Sequence, residues 1–177
     1  AEITIANIIN LSRQIIQMDQ NMKNKKWKRI YGNEIKNKKV FIIGLGNIGK
    51  RVAEFLKAIG SQIIIFDPYV NKENFPEFEF CNLNYGLQNA DIISIHASGD
   101  NCILSKNEFK QLKKGVILCN SARGELVDED ELCLALDKGI VAGAWIDAYI
   151  DEPYSGKLVE FKQCILTPHV SSLTSEC

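Results

Sequence analysis

Val40-Phe41-Ile42-Ile43-Gly44-Leu45-Gly46-Asn47-Ile48-Gly49 is a short apolar run that empties into a glycine-rich turn. Four consecutive apolar residues fit a strand buried on both faces, as in a parallel sheet. Behind the turn, Val52, Ala53, Leu56 and Ile59 recur at helical spacing, and Gly60 ends the helix. The turn therefore joins a buried strand to a helix, and each glycine has a separate task there. Gly44 permits the tight turn, Gly46 lets a pyrophosphate approach the backbone, and Gly49 lets the helix pack close to the strand. A helix N-terminus presents unpaired N–H groups and about half a positive charge to such phosphates.

The next strand is expected over Gln62–Phe66 and ends on Asp67. An acid there, about 20 residues into the unit, is placed for the adenosine ribose hydroxyls. It would repel a 2′-phosphate, and Pro68-Tyr69 supply no arginine to receive one, so NAD is favoured over NADP. On the glycine motif alone, FAD or another nucleotide competes.

Further strands are expected near 78–81 and at 91–95, 116–120, 143–146 and 164–166. Helices are expected at 83–88, 105–112 and 128–138. Such alternation predicts an α/β fold with a doubly wound parallel sheet, the Rossmann type. Upstream, Ala1, Ile5, Ile8, Leu11, Ile15, Met18 and Met22 predict one helix over 1–22 whose apolar stripe must be covered. The domain's own sheet or a second subunit would cover it. Residues 1–36 are expected to form this linking helix and a basic connector, and 37–177 the core.

The composition is that of a soluble globular protein, 46% hydrophobic and 24% charged. A net charge of −1 argues against a nucleic-acid surface, and the cluster Lys23, Lys25, Lys26, Lys28, Arg29 reads as a solvated connector. No apolar run is long enough to span a membrane, and the N-terminus lacks the pattern of a signal peptide. The six cysteines (Cys81, Cys102, Cys119, Cys133, Cys164, Cys177) form no CxxC pair. They predict reduced thiols in a cytoplasmic protein, with no metal site and no disulfide scaffold.

In the second half, Asn120-Ser121-Ala122-Arg123-Gly124, then Asp147 through Asp151-Glu152-Pro153, and Thr167-Pro168-His169 each follow an expected strand. An arginine, a carboxylate and a histidine thus fall on the carboxyl edge of the sheet, where ligands bind in such folds. Such a set could bind an α-keto acid and move a proton. Singly, each has a plainer explanation: a surface ion pair, a loop acid before proline, a capped histidine in a turn.

With these motifs in this order, the chain resembles the D-isomer-specific 2-hydroxyacid dehydrogenases. The resemblance runs from Ala1-Glu2 through Lys26-Trp27, the glycine turn and Asp67 to Thr167–His169. It implies an NAD-dependent oxidoreductase acting on a D-2-hydroxy acid or its 2-keto form, with phosphoglycerate-dehydrogenase-like members the first expectation. By the resemblance Arg123 grips the substrate carboxylate and C2 oxygen, a task for a planar fork. His169 exchanges the C2 hydroxyl proton, and Glu152 orients the ring and favours its protonated form. Asp147 accepts from the nicotinamide carboxamide, while Asn47, Ile48, Ser121 and Ala122 line the cofactor. His96 is structural or cofactor-lining.

Departures from the family pattern are local. The loop from Ala97 to Asp100 is shorter and lacks the usual proline near the nicotinamide ribose. Ser171-Ser172 replace glycine- or alanine-containing pairs on the nicotinamide floor, and Trp145 stands where a smaller residue is usual. The resemblance also implies a second, substrate domain not contained in this chain, so that alone it would turn over little. Homodimers through this domain are expected. Formate dehydrogenase is disfavoured, because Glu152 is the residue it lacks. An NAD-sensing scaffold of the corepressor type is the alternative from another functional class.

Overall fold

Every residue of Val40–Ile43 is buried, and the run divides its side chains between two cores. Phe41 and Ile43 join one apolar cluster with Leu87, Ile93, Leu118 and Leu136. Val40 and Ile42 join the other with Ile8, Val52, Leu56 and Trp145. A strand that feeds two cores must lie inside a sheet covered on both faces. That is what the computed structural model, which describes residues 1–175, contains.

In chain order the elements are α1 (Glu2–Arg13), α2 (Ile15–Lys23), β1 (Lys39–Ile43), α3 (Asn47–Ala58), β2 (Gln62–Phe66), β3 (Glu79–Phe80) and α4 (Leu83–Asn89). They continue with β4 (Ile92–Ile95), α5 (Lys106–Phe109), β5 (Val116–Asn120), α6 (Glu129–Asp137), β6 (Val141–Ile146) and β7 (Cys164–Leu166). The strands form one sheet in the order β3-β2-β1-β4-β5-β6-β7. All pairs are parallel. Strand order reverses between β1 and β4, which opens a crevice at the carboxyl edge beside the glycine turn. This is the doubly wound architecture expected from the sequence. Helices α1 and α3 cover one face, while α4 and α6 cover the other.

The single helix expected over 1–22 is in fact two. Gln14 takes a left-handed conformation (φ 52°, ψ 41°) and separates α1 from α2. The reason is a competing donor. The Asn33 N–H donates to the Ser12 carbonyl at 2.7 Å, taking the acceptor that a continuing helix would offer to residue 16. Gly32 lies so close that a Cβ there would stand 2.6 Å from the Arg13 Cα. Helix α1 buries Ile8 completely against the sheet, so the domain itself covers that half of the stripe. Helix α2 buries nothing and exposes Ile15, Ile16 and Met22.

Helix α5 is shorter than the expected 105–112. Ser105 and Glu108 form a reciprocal capping box, and past Phe109 the bonds tighten to i→i+3, from Gln111 to Glu108 and from Leu112 to Phe109. Five cysteines are free thiols, while Cys177 lies outside the described residues. Burial pushes the Cys81 thiol up to about 11 and the Cys119 and Cys164 thiols up to about 12. Among the described residues no helix is long and apolar enough to cross a membrane.

Candidate active site

The turn after β1 is built as the glycine spacing requires. Gly44 has φ +92°, and a Cβ there would stand 2.7 Å from the Ala97 nitrogen. At Gly49 a Cβ would run into the Gly44 carbonyl oxygen, so α3 sits directly against the turn. Gly46 is different, since nothing lies within 4 Å of its Cβ position. Packing does not exclude a side chain there, and the open space flanks the uncapped N-terminus of α3. Asn47 and Ile48 on that first turn are also exposed, Ile48 at 55% despite being apolar. An open glycine, free helix N–H groups and an uncovered isoleucine fit a phosphate-bearing dinucleotide.

Asp67 follows β2 and lines a cleft of about 770 Å³ with Phe66, Val70, Phe80 and Asn82. Its Oδ2 accepts from the Leu45 N–H at 2.7 Å, and its Oδ1 from the Tyr69 N–H at 2.9 Å. The carboxylate thus also pins the glycine turn, a contact that the sequence reading did not include. Its remaining lone pairs can still take ribose hydroxyls.

His96 ends β4 beneath the same turn, its Cβ 3.3 Å from where a Gly49 side chain would begin. Its Nε2 lies 2.8 Å from the Ser94 hydroxyl. Burial lowers its pKa to about 4, so the ring is neutral. Ala97 packs against Gly44, and the loop beyond it is exposed at Ser98, Gly99 and Asp100.

After β5, the buried Asn120 side chain closes the turn that carries Arg123. Its Nδ2 donates to the Arg123 carbonyl at 2.7 Å, and its Oδ1 accepts from the Ala122 N–H at 3.1 Å. Arg123 is exposed and spends one donor on the Ala122 carbonyl at 2.8 Å, leaving the rest of its fork open. Ser121 and Ala122 are half-buried beside it. Gly124 lies against the backbone of Tyr149 and Ile150. The arginine turn therefore rests on the segment that leads to Glu152.

Both Glu152 oxygens lie 3.0 Å from Nδ1 of His169. The Tyr149 N–H donates to Glu152 Oε1 at 3.1 Å. The hydrogen bond with His169, and then that from Tyr149, hold the Glu152 carboxyl below the usual carboxylate range. His169 itself has φ 52°, left-handed for a side-chain-bearing residue.

Asp147 is completely buried. Its Oδ1 accepts from the Thr167 hydroxyl at 2.6 Å and the Val170 N–H at 3.0 Å, and its Oδ2 from the Ser171 N–H at 2.9 Å. Burial pushes this carboxyl up, and hydrogen bonds from Ser171, Thr167 and Val170 outweigh that and hold it low. The Ser171 hydroxyl lies beside the carboxylate but outside hydrogen-bonding geometry. Among the described residues it is the one buried side-chain N or O atom without a partner. A ligand carboxamide would satisfy such an orphan, so Ser171 fits the nicotinamide end of a dinucleotide. Ser172 is exposed next to it.

All of these residues stand at the carboxyl ends of β1, β2, β4, β5, β6 and β7, along one edge of one sheet. The family model for the D-isomer specific 2-hydroxyacid dehydrogenase NAD-binding domain matches residues 5–171. The chain belongs to this family. Its members include the D-3-phosphoglycerate dehydrogenase of Bacillus subtilis, 36% identical over 184 residues, an alignment covering 99% of this chain and 35% of that protein. The human D-3-phosphoglycerate dehydrogenase is 35% identical over 191 residues, with 99% and 34% covered. Among solved members, the D-isomer specific 2-hydroxyacid dehydrogenase of Lactobacillus delbrueckii ssp. bulgaricus in its NAD complexed form superposes with a TM-score of 0.88 at 30% identity, covering 98% of this chain and 60% of that one. The D-lactate dehydrogenase of Aquifex aeolicus, complexed with NAD and lactic acid, gives 0.90 at 25% identity, with 99% and 60% covered. The chain thus spans about a third of the length of the curated relatives it matches. NAD is the cofactor of this 2-hydroxyacid dehydrogenase domain.

Sequence reasoning missed Asn120 and Thr167 as builders of the site. Asn120 was visible only as part of a motif, and Thr167 only as a neighbour of the histidine. Their partners depend on strand pairing, which no local pattern records.

Proposed function

We propose that this domain supplies the cofactor site and the proton-transfer pair of an NAD-dependent oxidoreductase that interconverts a D-2-hydroxy acid and its 2-keto acid. The observation that carries the reading is the Glu152–His169 pair. One imidazole nitrogen is held by a carboxylate, which leaves Nε2 available at the sheet edge that carries the glycine turn. When bound, NAD accepts or supplies the hydride. The chain's own residues do the rest. Arg123 binds the substrate carboxylate through its open fork. His169 takes the C2 hydroxyl proton at Nε2 during oxidation and returns it during reduction. Glu152 fixes the tautomer and the ring plane. Gly46, Asn47 and Ile48 receive the pyrophosphate, Asp67 the adenosine ribose, and Ala97, Ser121, Ala122, Ser171 and Ser172 the nicotinamide half.

Relatives named as D-3-phosphoglycerate dehydrogenases support a small phosphorylated or short-chain hydroxy acid as substrate. The exposed Ile15, Ile16 and Met22 on α2 support a homodimer through this domain. Free thiols support a reducing compartment such as the cytoplasm.

Titration with NADH, NADPH and FAD in parallel, followed by a panel of 2-keto acids with NADH, tests the reading. Selective NADH binding with turnover that H169Q abolishes is the expected result. FAD preferred to NADH overturns it. NADH binding without turnover of any 2-keto acid by a protein that carries this domain together with its substrate domain overturns the enzymatic part and favours an NAD-sensing scaffold.

A further inference from the structure

Asp147 points its hydrogen bonds inward, and they fall on both sides of His169. Trp145, on strand β6 two residues before Asp147, is completely buried, and its indole N–H donates to the Thr167 Oγ1 at 2.9 Å. An indole nitrogen can only donate, and an ionised carboxylate can only accept. The Thr167 hydroxyl must therefore accept from Trp145 and give its one proton to Asp147. That polarity cannot reverse. On the far side of His169, the Val170 and Ser171 N–H groups donate to the two oxygens of the same carboxylate. The Tyr149 hydroxyl adds a tie between the strand ends, shared between the carbonyls of Ile146 at 2.9 Å and Thr167 at 3.1 Å. Residues 167, 170 and 171 are thus anchored to β6, and His169 is held between them in its left-handed conformation. A non-glycine residue keeps such a backbone only where its surroundings over-determine it.

We propose that Asp147, oriented through the Trp145–Thr167 hydrogen bonds, is a positioning residue that holds His169 against Glu152. The inference rests on the reading of His169 as the proton-transfer group. It gives Asp147 a function independent of any contact with the cofactor. It also accounts for the bulky Trp145, which supplies the donor that sets the polarity of Thr167.

The test is the pair T167V and T167S. Valine keeps the shape of threonine, removes the acceptor of Trp145 and removes one donor to Asp147. Serine keeps the hydroxyl. The chain has two histidines and two tryptophans, so imidazole and indole signals are few enough to follow by NMR without cofactor. In T167V the Trp145 indole proton should exchange with solvent much faster and the His169 ring signal should move. T167S should restore both. In a protein that carries this domain together with its substrate domain, reduction of a 2-keto acid should fall roughly tenfold or more in kcat, as expected when a reacting group is displaced, with the Kd for NADH little changed. An unmoved His169 signal in folded T167V overturns the proposal. So does a loss of NADH affinity as large as the loss of kcat, which would put Asp147 on the carboxamide. If a wild-type protein that carries this domain together with its substrate domain reduces no 2-keto acid, the enzymatic reading fails, and the ring signal still decides whether the clamp exists. Should T167V not fold, W145F removes the indole donor that orients the Thr167 hydroxyl, from the other end of the relay, and must move the same signal.

Discussion

The imidazole Nδ1 of His169 is shared between the two oxygens of Glu152, at 3.0 Å from each. Seventeen residues separate the partners in sequence, and parallel pairing of β6 with β7 brings their loops together. Glu152 has its pKa lowered by His169 first and by the Tyr149 N–H second. A depressed carboxyl contributes above its ordinary pKa, and the contribution fades as pH falls through the lowered value. H169Q should therefore raise the Glu152 pKa back toward its ordinary value, read by carbon NMR of the carboxyl. E152Q should lower kcat for 2-keto acid reduction by about 10- to 100-fold, since general acid–base catalysis contributes about 10²–10⁴ and the histidine itself remains.

Gly46 and Gly44 separate binding from folding. G46A meets no atom within 4 Å and keeps a φ of −73° that alanine accepts. It should cost about 1 kcal/mol or less as a cap change and yet abolish measurable NADH binding. G44A must adopt φ +92° with a Cβ 2.7 Å from the Ala97 nitrogen. It should cost about 3 kcal/mol through strain and overpacking. Denaturant melts beside NADH titrations read both. Equal destabilisation by the two variants would contradict the assignment of Gly46 to ligand approach.

Asp67 accepts from the Leu45 N–H as well as lining the cleft proposed above for the adenosine. D67A should weaken NADH binding and also lower stability by about 1–3 kcal/mol, because a charge-assisted bond to the turn is lost. Loss of affinity with unchanged stability would show that the Leu45 contact contributes nothing.

His96 predicts the shape of the acid limb. Its folded pKa of about 4 lies below the ordinary histidine value of 6.5. Between these values the unfolded chain binds the extra proton, so stability rises with pH over that window and is lost as pH falls toward 4. The lost stability amounts to at most about 3 kcal/mol, from 1.36 kcal/mol per pKa unit. H96N should flatten this limb, measured as the midpoint of urea unfolding from pH 7 to 4. A His96 ring signal that titrates near 6.5 would refute the burial argument.

The strands were legible because a strand buried on both faces has to be apolar at successive positions, as in Val40–Ile43, Val116–Leu118 and Gly143–Ile146. The cofactor turn was legible because only glycine fits at Gly44 and Gly49. Helix ends were less so. The break at Gln14 depends on the Asn33 N–H reaching the Ser12 carbonyl, and helical periodicity carries no trace of a donor 21 residues away.

By itself, then, the sequence determined the order of strands and helices, the glycine turn with its acid at Asp67, and the set of residues that end each strand. These follow from local rules of burial, backbone freedom and spacing. The tertiary structure decided which of those residues touch. Thr167 reaches Asp147 across 20 residues, and Trp145 reaches Thr167 across 22, because β6 and β7 pair with Ile146 opposite Leu166. A shift of one residue in that register would turn these side chains to the opposite face of the sheet. Register is set by the whole packed sheet, so the partners of Asp147 and the pose of His169 are properties of the fold.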